Sequence, residues 1–76
     1  MTFEDLIDAV EESLSDDRDI CVRREYWRFT GGLRERRVTI WDSRLRKWFL
    51  SKSPEDAYEQ WWEAISVATD VSSATN

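Results

Sequence analysis

The sequence contains no histidine and a single cysteine, Cys21, and no apolar run approaches the roughly 18 residues of a membrane-spanning helix. One cysteine excludes a disulfide within the chain, and the lack of histidine excludes a histidine-based zinc site. Cys21 lies among apolar neighbours at the start of a predicted strand, where a thiol is expected to act as a small structural side chain. We therefore expect no metal, no cofactor and no membrane partner.

Catalytic motifs are also lacking. The nearest approach to an acid and a base is the pair Glu59 and Glu63, but these two lie one turn apart on a polar helix edge with no histidine to assist. We expect no catalytic residue and no enzymatic activity.

Positive charge is missing from both ends of the chain. All eleven lysines and arginines lie between Arg18 and Lys52, although the formal net charge is -5. The flanks, residues 1 to 17 and 53 to 76, contain seven and five acids respectively. Such segregated charge creates a field that steers association with partners. The alternative is mutual neutralisation within the fold, where surface ion pairs each contribute only about 0 to 1 kcal/mol.

The chain begins with an acidic segment, Thr2 to Asp5, whereas a secretion signal needs a positive start and then an apolar run. This start predicts a cytoplasmic protein. The 76 residues, 41% of them hydrophobic, are enough for one small domain. We expect the five tryptophans to supply much of its core.

The first predicted helix covers residues 3 to 14. Its apolar residues recur at the spacing of one helical stripe, namely Phe3, Leu6, Ile7, Val10 and Leu14. Much of the remaining surface of this helix is acidic. Thr2 and Asp5 form a variant of the capping box that begins a helix.

The middle of the chain predicts a three-stranded antiparallel sheet. Residues 20 to 30 are rich in β-branched and aromatic types, and the Gly31-Gly32 dipeptide that follows suits the positive φ angles of a tight hairpin. The second strand covers about residues 34 to 42. After a turn at residues 43 to 45, the third strand covers about residues 46 to 51.

Alternation within the second strand identifies its core face. Val38 and Ile40 point to the core, and Arg37, Thr39 and Trp41 point away from it. Trp48 and Leu50 join them if Ile40 lies opposite Trp48. With that pairing, the third strand is predicted to bury Trp48 and Leu50.

The first strand allows two registers, because a shift of one residue sends every side chain to the opposite face. In the favoured register, Trp27 and Phe29 lie on the open face of the sheet. The residues that then face the helices are Ile20, Val22 and Tyr26. The other register buries Trp27 and Phe29 instead.

The second predicted helix begins at Ser53 and Pro54, because serine caps a helix N-terminus and proline suits the first helical position. Its inner stripe consists of Ala57, Trp61, Ala64, Ile65 and Ala68, and its outer edge carries glutamates. The domain is predicted to span residues 1 to 69. Residues 70 to 76 are small and polar without periodicity, which predicts a frayed tail.

This order of elements predicts an α+β fold of helix, three-stranded antiparallel sheet and helix, with both helices packed on one sheet face. The order resembles that of the double-stranded-RNA-binding domain over almost the whole chain. In that family the second helix begins with lysines that contact phosphates. Residues 53 to 59 contain three acids and no base, and this departure implies no double-stranded RNA binding in that mode.

Acidic residues on the outer faces of both helices are the first candidate site. The five that we expect to supply the charge are Glu11, Glu12, Glu55, Glu59 and Glu63. No lysine or arginine interrupts either helix, so this surface can compete with DNA or RNA for a basic protein surface. The alternative is a solvated face that maintains solubility.

The chain is predicted to be a small acidic α+β domain without an active site. In this general character it resembles the small phage-encoded inhibitors of restriction and CRISPR systems. The resemblance covers size, charge and class, and no motif. It implies a viral, cytoplasmic, non-catalytic protein that mimics DNA and occludes the nucleic-acid-binding surface of a partner. The expected partner is therefore a protein with a basic surface.

The strands supply an alternative site. In the favoured register the open sheet face carries Arg23, Trp27, Arg37 and Trp41, and there arginines can neutralise phosphates while flat rings stack on bases. This predicts a nucleic-acid-binding module. The simpler interpretation is that the rings cover the sheet and stack on arginine.

The oligomeric state has two alternatives. The protein is either a monomer or a homodimer in which the sheet of one copy meets the helices of the next.

Overall fold

The computed structural model describes residues 1 to 14 and 17 to 74, and the side chains in these ranges as far as residue 68. The elements in chain order are α1 (Phe3–Ser13), β1 (Ile20–Arg28), β2 (Arg34–Asp42), β3 (Lys47–Ser51) and α2 (Pro54–Ala74). The predicted α+β class and the order helix, three strands, helix are confirmed.

The first helix begins at the predicted capping box. The Asp5 N–H donates to Thr2 Oγ1 at 3.1 Å, and the Thr2 N–H donates to the Asp5 carboxylate at 3.0 Å. These bonds from Thr2 hold the pKa of the Asp5 carboxyl below its usual value. The buried face of α1 is formed by Leu6 and Val10, as its periodicity predicts.

The second helix begins at its predicted cap. The Asp56 N–H donates to Ser53 Oγ at 3.2 Å, while Pro54 occupies the first helical position, where no N–H is needed. The Ser51 hydroxyl donates to the Asp56 carboxylate at 2.6 Å. Together with Gln60, that bond lowers the pKa of Asp56. Local hydrogen bonds therefore define where α2 starts.

The end of α2 lies further along the chain than the predicted domain boundary. The helix runs to Ala74, so the predicted tail at residues 70 to 76 begins within it. Residues 75 and 76 lie outside the described residues.

The sheet is antiparallel with the strand order β1-β2-β3. β1 pairs with β2 along its whole length. β3 pairs only with Val38 to Asp42 of β2. In the part of the chain that the structure describes, the half of the β1/β2 hairpin beyond β3 therefore has no third strand beside it. We call residues 24 to 37 the hairpin arm.

The turn of the hairpin uses the glycine pair that the sequence predicts. Gly31 and Gly32 have φ angles of 98° and 90°, which residues with a Cβ rarely adopt. The Gly32 N–H donates to the Phe29 carbonyl at 3.1 Å, and the Phe29 N–H donates to the Leu33 carbonyl at 2.8 Å. Both bonds close the end of the hairpin arm.

The favoured register of β1 is confirmed. Val22 lies opposite Ile40, so the even-numbered residues of β1 face the helices. Trp27 and Phe29 are on the open side and are 44% and 39% exposed. Cys21 is also exposed on that side, opposite Trp41, so it does not pack in the core as the predicted small structural side chain would.

The predicted register of β3 is wrong by one residue. Ile40 lies opposite Phe49, which is buried, whereas Trp48 and Leu50 are 46% and 55% exposed. The cause is the turn before β3, which contains four residues between its paired ends instead of the predicted three. Its last residue, Arg46, adopts the left-handed conformation with φ 52°.

The core lies between the sheet and both helices, which pack on one sheet face as predicted. Its fully or nearly buried apolar residues are Leu6, Val10, Val38, Ile40, Phe49, Ala57 and Trp61. Within residues 1 to 14 and 17 to 74, no helix combines the length and apolar character needed to cross a membrane.

A buried carboxylate joins the sheet to α2 and to the segment before β1. Asp42 is fully buried, and its Oδ2 accepts hydrogen bonds from Arg18 Nη1 and Trp61 Nε1, both at 2.8 Å. Its Oδ1 accepts the N–H groups of Arg44 at 2.9 Å and Leu45 at 3.0 Å. Burial raises the pKa of Asp42, but the bonds from Leu45, Trp61 and Arg18 outweigh it and lower the pKa.

We expect stability to be nearly constant between about pH 5.5 and 7.5 and to fall below about pH 4. The chain has no histidine, and folding lowers the pKa values of Asp42, Asp56 and Glu35. A lowered folded-state pKa contributes stability that is fully present above the unfolded-state pKa. That stability is lost as pH falls through the folded-state pKa.

Thermal unfolding followed by circular dichroism from about pH 2.5 to 7.5 measures this dependence. An Asp42→Asn variant should lose less stability on acidification, because it lacks one of the shifted carboxyls. A melting temperature that rises steadily below about pH 4 would contradict the prediction.

Candidate binding surfaces

The predicted acidic residues lie in the helical layer and are accessible. We call the set Glu11, Glu12, Glu55, Glu59 and Glu63 the acidic helical surface, and every member is exposed. Neither α1 nor α2 contains a lysine or arginine. Within the described part of the chain, none of the five has a cation within ion-pair distance. Their charges are therefore available to a partner.

The two helices that carry this surface contact each other directly. The hydroxyls of Ser13 and Tyr58 lie 2.7 Å apart, which joins the end of α1 to the second turn of α2. Because the helices are adjacent, the fields of their carboxylates add over one region of the molecule. Sequence periodicity predicts each helix face but not this contact.

The acidic helical surface also contains an exposed aromatic side chain, Trp62. Trp62 is 45% exposed, and its ring stacks on Tyr58 with centroids 6.4 Å apart and planes 7° apart. It follows Glu59 by three residues and Glu55 by seven, so all three lie on one side of α2. Tryptophan is enriched among the residues that dominate protein interfaces. Its position three and seven residues after glutamates is a signal that sequence reasoning could have used.

The four residues of the alternative site lie on the open face of the sheet, as the favoured register requires. The Arg37 guanidinium lies 5.0 Å from the centre of the Trp27 ring. Trp41 packs against Trp48 with ring centroids 5.3 Å apart, and Arg23 lies 5.3 Å from the Trp48 ring. Arginines therefore already cover part of the rings on this face.

Two glutamates that sequence reasoning missed lie between those arginines. Glu25 lies opposite Arg37, and its carboxylate accepts a hydrogen bond from Trp27 Nε1 at 2.8 Å. Glu35 accepts a hydrogen bond from Arg37 at 2.9 Å, and this bond lowers the pKa of Glu35. The two glutamates offset Arg23 and Arg37, so these four charges sum to zero. Nucleic-acid binding through the open face stays a prediction.

Exposed arginines are concentrated on the other side of the hairpin arm. The positions that alternate towards the helix side of the sheet are Arg24, Tyr26 and Arg28 of β1 and Arg34 and Arg36 of β2. All five are exposed. We call this set the arginine face of the arm.

Metal binding has no candidate in residues 1 to 14 and 17 to 68, which contain no group of three or more histidine, cysteine, aspartate or glutamate side chains that could hold an ion. Comparisons with protein-family models, curated proteins and solved structures find no match to this chain. The two charged surfaces are therefore the features of the molecule that bear on its function.

Proposed function

We propose that the protein is a non-catalytic binding protein whose acidic helical surface docks on a basic, nucleic-acid-binding surface of another protein and occludes it. The observation that carries this proposal is a helical layer with five exposed glutamates, no lysine or arginine on either helix, and no ion-pair partner for the five in the described part of the chain. Such a surface presents negative charge as a nucleic acid does.

The charge pattern explains how the surface would compete with a nucleic acid. Glu55, Glu59 and Glu63 follow one another at intervals of four residues, which places successive carboxylates about 6 Å apart along the helix axis. Lysines and arginines that bind phosphates gain from any regular array of negative charge. Electrostatic complementarity of this kind raises the association rate and excludes acidic partners.

Trp62 distinguishes this surface from a face that only maintains solubility. A solvated helix face has no need for a large aromatic ring that is 45% exposed. At an interface, such a ring supplies apolar burial at the centre while charged residues surround it. The proposed partner therefore presents basic residues around a shallow apolar depression.

We expect the double variant Glu59→Lys/Glu63→Lys to lose at least about tenfold in affinity for the partner, since both attractions become repulsions. The chain is immobilised and incubated with nuclease-treated extract of its source cells, and retained proteins are identified by mass spectrometry. Wild-type chain should retain a protein with a basic nucleic-acid-binding surface, and added duplex DNA should displace it.

The matched control is Asp17→Lys/Asp19→Lys, which changes the net charge equally but alters the loop after α1. This control should retain the partner as wild type does, with unchanged circular dichroism in both variants. Equal retention by the Glu59→Lys/Glu63→Lys variant, or retention that duplex DNA does not reduce, would refute the proposed function.

A further inference from the structure

The hairpin arm carries a cationic surface that the acidic helical surface does not explain. β3 stops at Ser51, opposite Val38, so among the described residues no third strand flanks β2 along the arm. Tyr26 on the arginine face is 58% exposed, although it points to the side on which the helices pack. The arm therefore offers an uncovered face beyond the core.

Strand pairing brings like charges together on this face. Arg28 lies directly opposite Arg34, and Tyr26 lies opposite Arg36. Like charges opposite each other destabilise an antiparallel pair. The pairing of Arg28 with Arg34 therefore does not stabilise the fold by itself, whereas a bound polyanion would offset the repulsion between the two guanidinium groups.

The carboxylates of the arm point away from the arginine face, although Glu25 also borders the groove between the base of the arm and α2. Glu25 and Glu35 occupy odd positions, and the arginine face occupies even positions, which point the opposite way. Glu35 is bonded to Arg37, and Glu25 accepts a hydrogen bond from Trp27. Neither glutamate shares the face on which Arg28 and Arg34 lie.

The base of the arm forms a groove against the start of α2. Its volume is about 590 Å³, and its charged lining residues are Arg24, Arg36, Arg37, Lys52 and one carboxylate, Glu25. Lys52 forms a long ion pair with Glu35 at 3.9 Å, but its side chain is 82% exposed and stays accessible. Four cations, one carboxylate and the Tyr26 ring therefore line one concavity, which keeps a net positive charge.

We propose that the groove and the arginine face of the arm bind a single-stranded nucleic acid. Guanidinium groups match phosphate oxygens in a bidentate manner, and successive arginines on one strand face lie about 7 Å apart. Tyr26 provides a platform on which a base stacks. A basic groove that follows the backbone, with an aromatic ring for the bases, is the usual design of a single-strand site.

A single strand fits this site better than the alternatives. Glu55, which is exposed, lies beside Pro54 at the groove, and a wide duplex or a bulky acidic protein would meet the acidic helical surface. A single strand lying along the narrow arm avoids those carboxylates. This site is separate from the proposed function and does not depend on it.

The test measures fluorescence anisotropy of a labelled oligothymidine of about 20 nucleotides at rising sodium chloride concentrations. Wild-type protein should bind, with affinity that falls steeply with salt. The variant Arg28→Gln/Arg34→Gln should bind at least about tenfold more weakly, with a logarithmic salt slope shallower by about 1.4, since each lost phosphate contact removes about 0.7. Tyr26→Ala should weaken binding roughly tenfold with little change in slope.

The matched control is Arg44→Gln/Arg46→Gln, which removes two arginines of the turn before β3, outside both candidate nucleic-acid surfaces, and should bind as wild type does, apart from a small change from net charge. Circular dichroism confirms the fold of each variant. The proposal is overturned if wild-type protein does not bind at about 50 mM salt, or if the arm variant binds equally well. Tighter binding of a duplex or of a polyglutamate peptide would also overturn it, as would loss of binding only in the control.

Discussion

Replacing Asp42 by alanine is expected to lower the free energy of unfolding by about 3 to 5 kcal/mol, because it removes the buried acceptor of four hydrogen bonds. The Arg18 guanidinium and the Trp61 indole N–H both lose their bond to Oδ2, and two backbone N–H groups lose theirs to Oδ1. A domain of this length is stable by only about 4 to 11 kcal/mol. The variant should therefore lose a large share of its stability.

Urea unfolding at pH 7 measures the loss, and two variants show its cause. Asp42→Asn keeps one carbonyl oxygen as an acceptor but loses the negative charge, so we expect an intermediate loss. Asp8→Asn alters an exposed residue of α1 and should change stability by less than about 0.5 kcal/mol. If Asp42→Ala also changed the free energy of unfolding by less than about 0.5 kcal/mol, the buried carboxylate would not stabilise the fold as we expect.

Replacing Trp61 by alanine is expected to cost about 3 to 5 kcal/mol, the range for removing a buried tryptophan. Trp61 is fully buried, whereas its neighbour Trp62 is 45% exposed, so the chain contains its own control. Trp62→Ala removes the same atoms one residue further along α2. We expect it to cost less, about 1 to 2 kcal/mol, because nearly half of its surface is already hydrated and its removal leaves no enclosed cavity.

Thermal and urea unfolding of the two alanine variants give the comparison. Trp61→Phe adds a further measurement, since it removes the donor to Asp42 but keeps most of the apolar volume. Its loss should lie between those of the two alanine variants. If Trp61→Ala and Trp62→Ala lowered the free energy of unfolding by similar amounts, burial of the inner stripe of α2 would not be what stabilises the core.

Features that depend on neighbouring residues could be predicted from the sequence. The caps at Thr2 and Ser53 each use a partner three residues away, and both are present. Glycines at 31 and 32 have the positive φ angles that a hairpin turn needs. Helical periodicity also identified the exposed glutamates, because one face of each helix is apolar throughout.

Features that depend on tertiary contacts could not be predicted. The register of β3 follows from a four-residue turn whose last residue, Arg46, is left-handed, and arginine has no intrinsic preference for that conformation. The role of Asp42 depends on donors 19 and 24 residues away. No spacing rule connects Asp42 with Trp61 and Arg18.

The charge of the sheet faces could be read from the sequence only in part. Alternation already places Glu25 on the same face as Arg23 and Trp27, and Glu35 on the same face as Arg37. The sequence pattern could therefore have predicted that the charges on the open face balance. Pairing of Arg28 with Arg34 needed the hairpin register. The basic segment is therefore divided between two sheet faces, and its net charge lies mainly on the face next to the helices.

The exposed thiol on the open sheet face has a practical consequence. Cys21 is the only cysteine, and it points away from both helices, opposite Trp41. A maleimide dye would thus attach at one defined place on the unmodified sequence. Such a conjugate would report on ligands at the open sheet face while leaving the side chains of both charged surfaces unaltered.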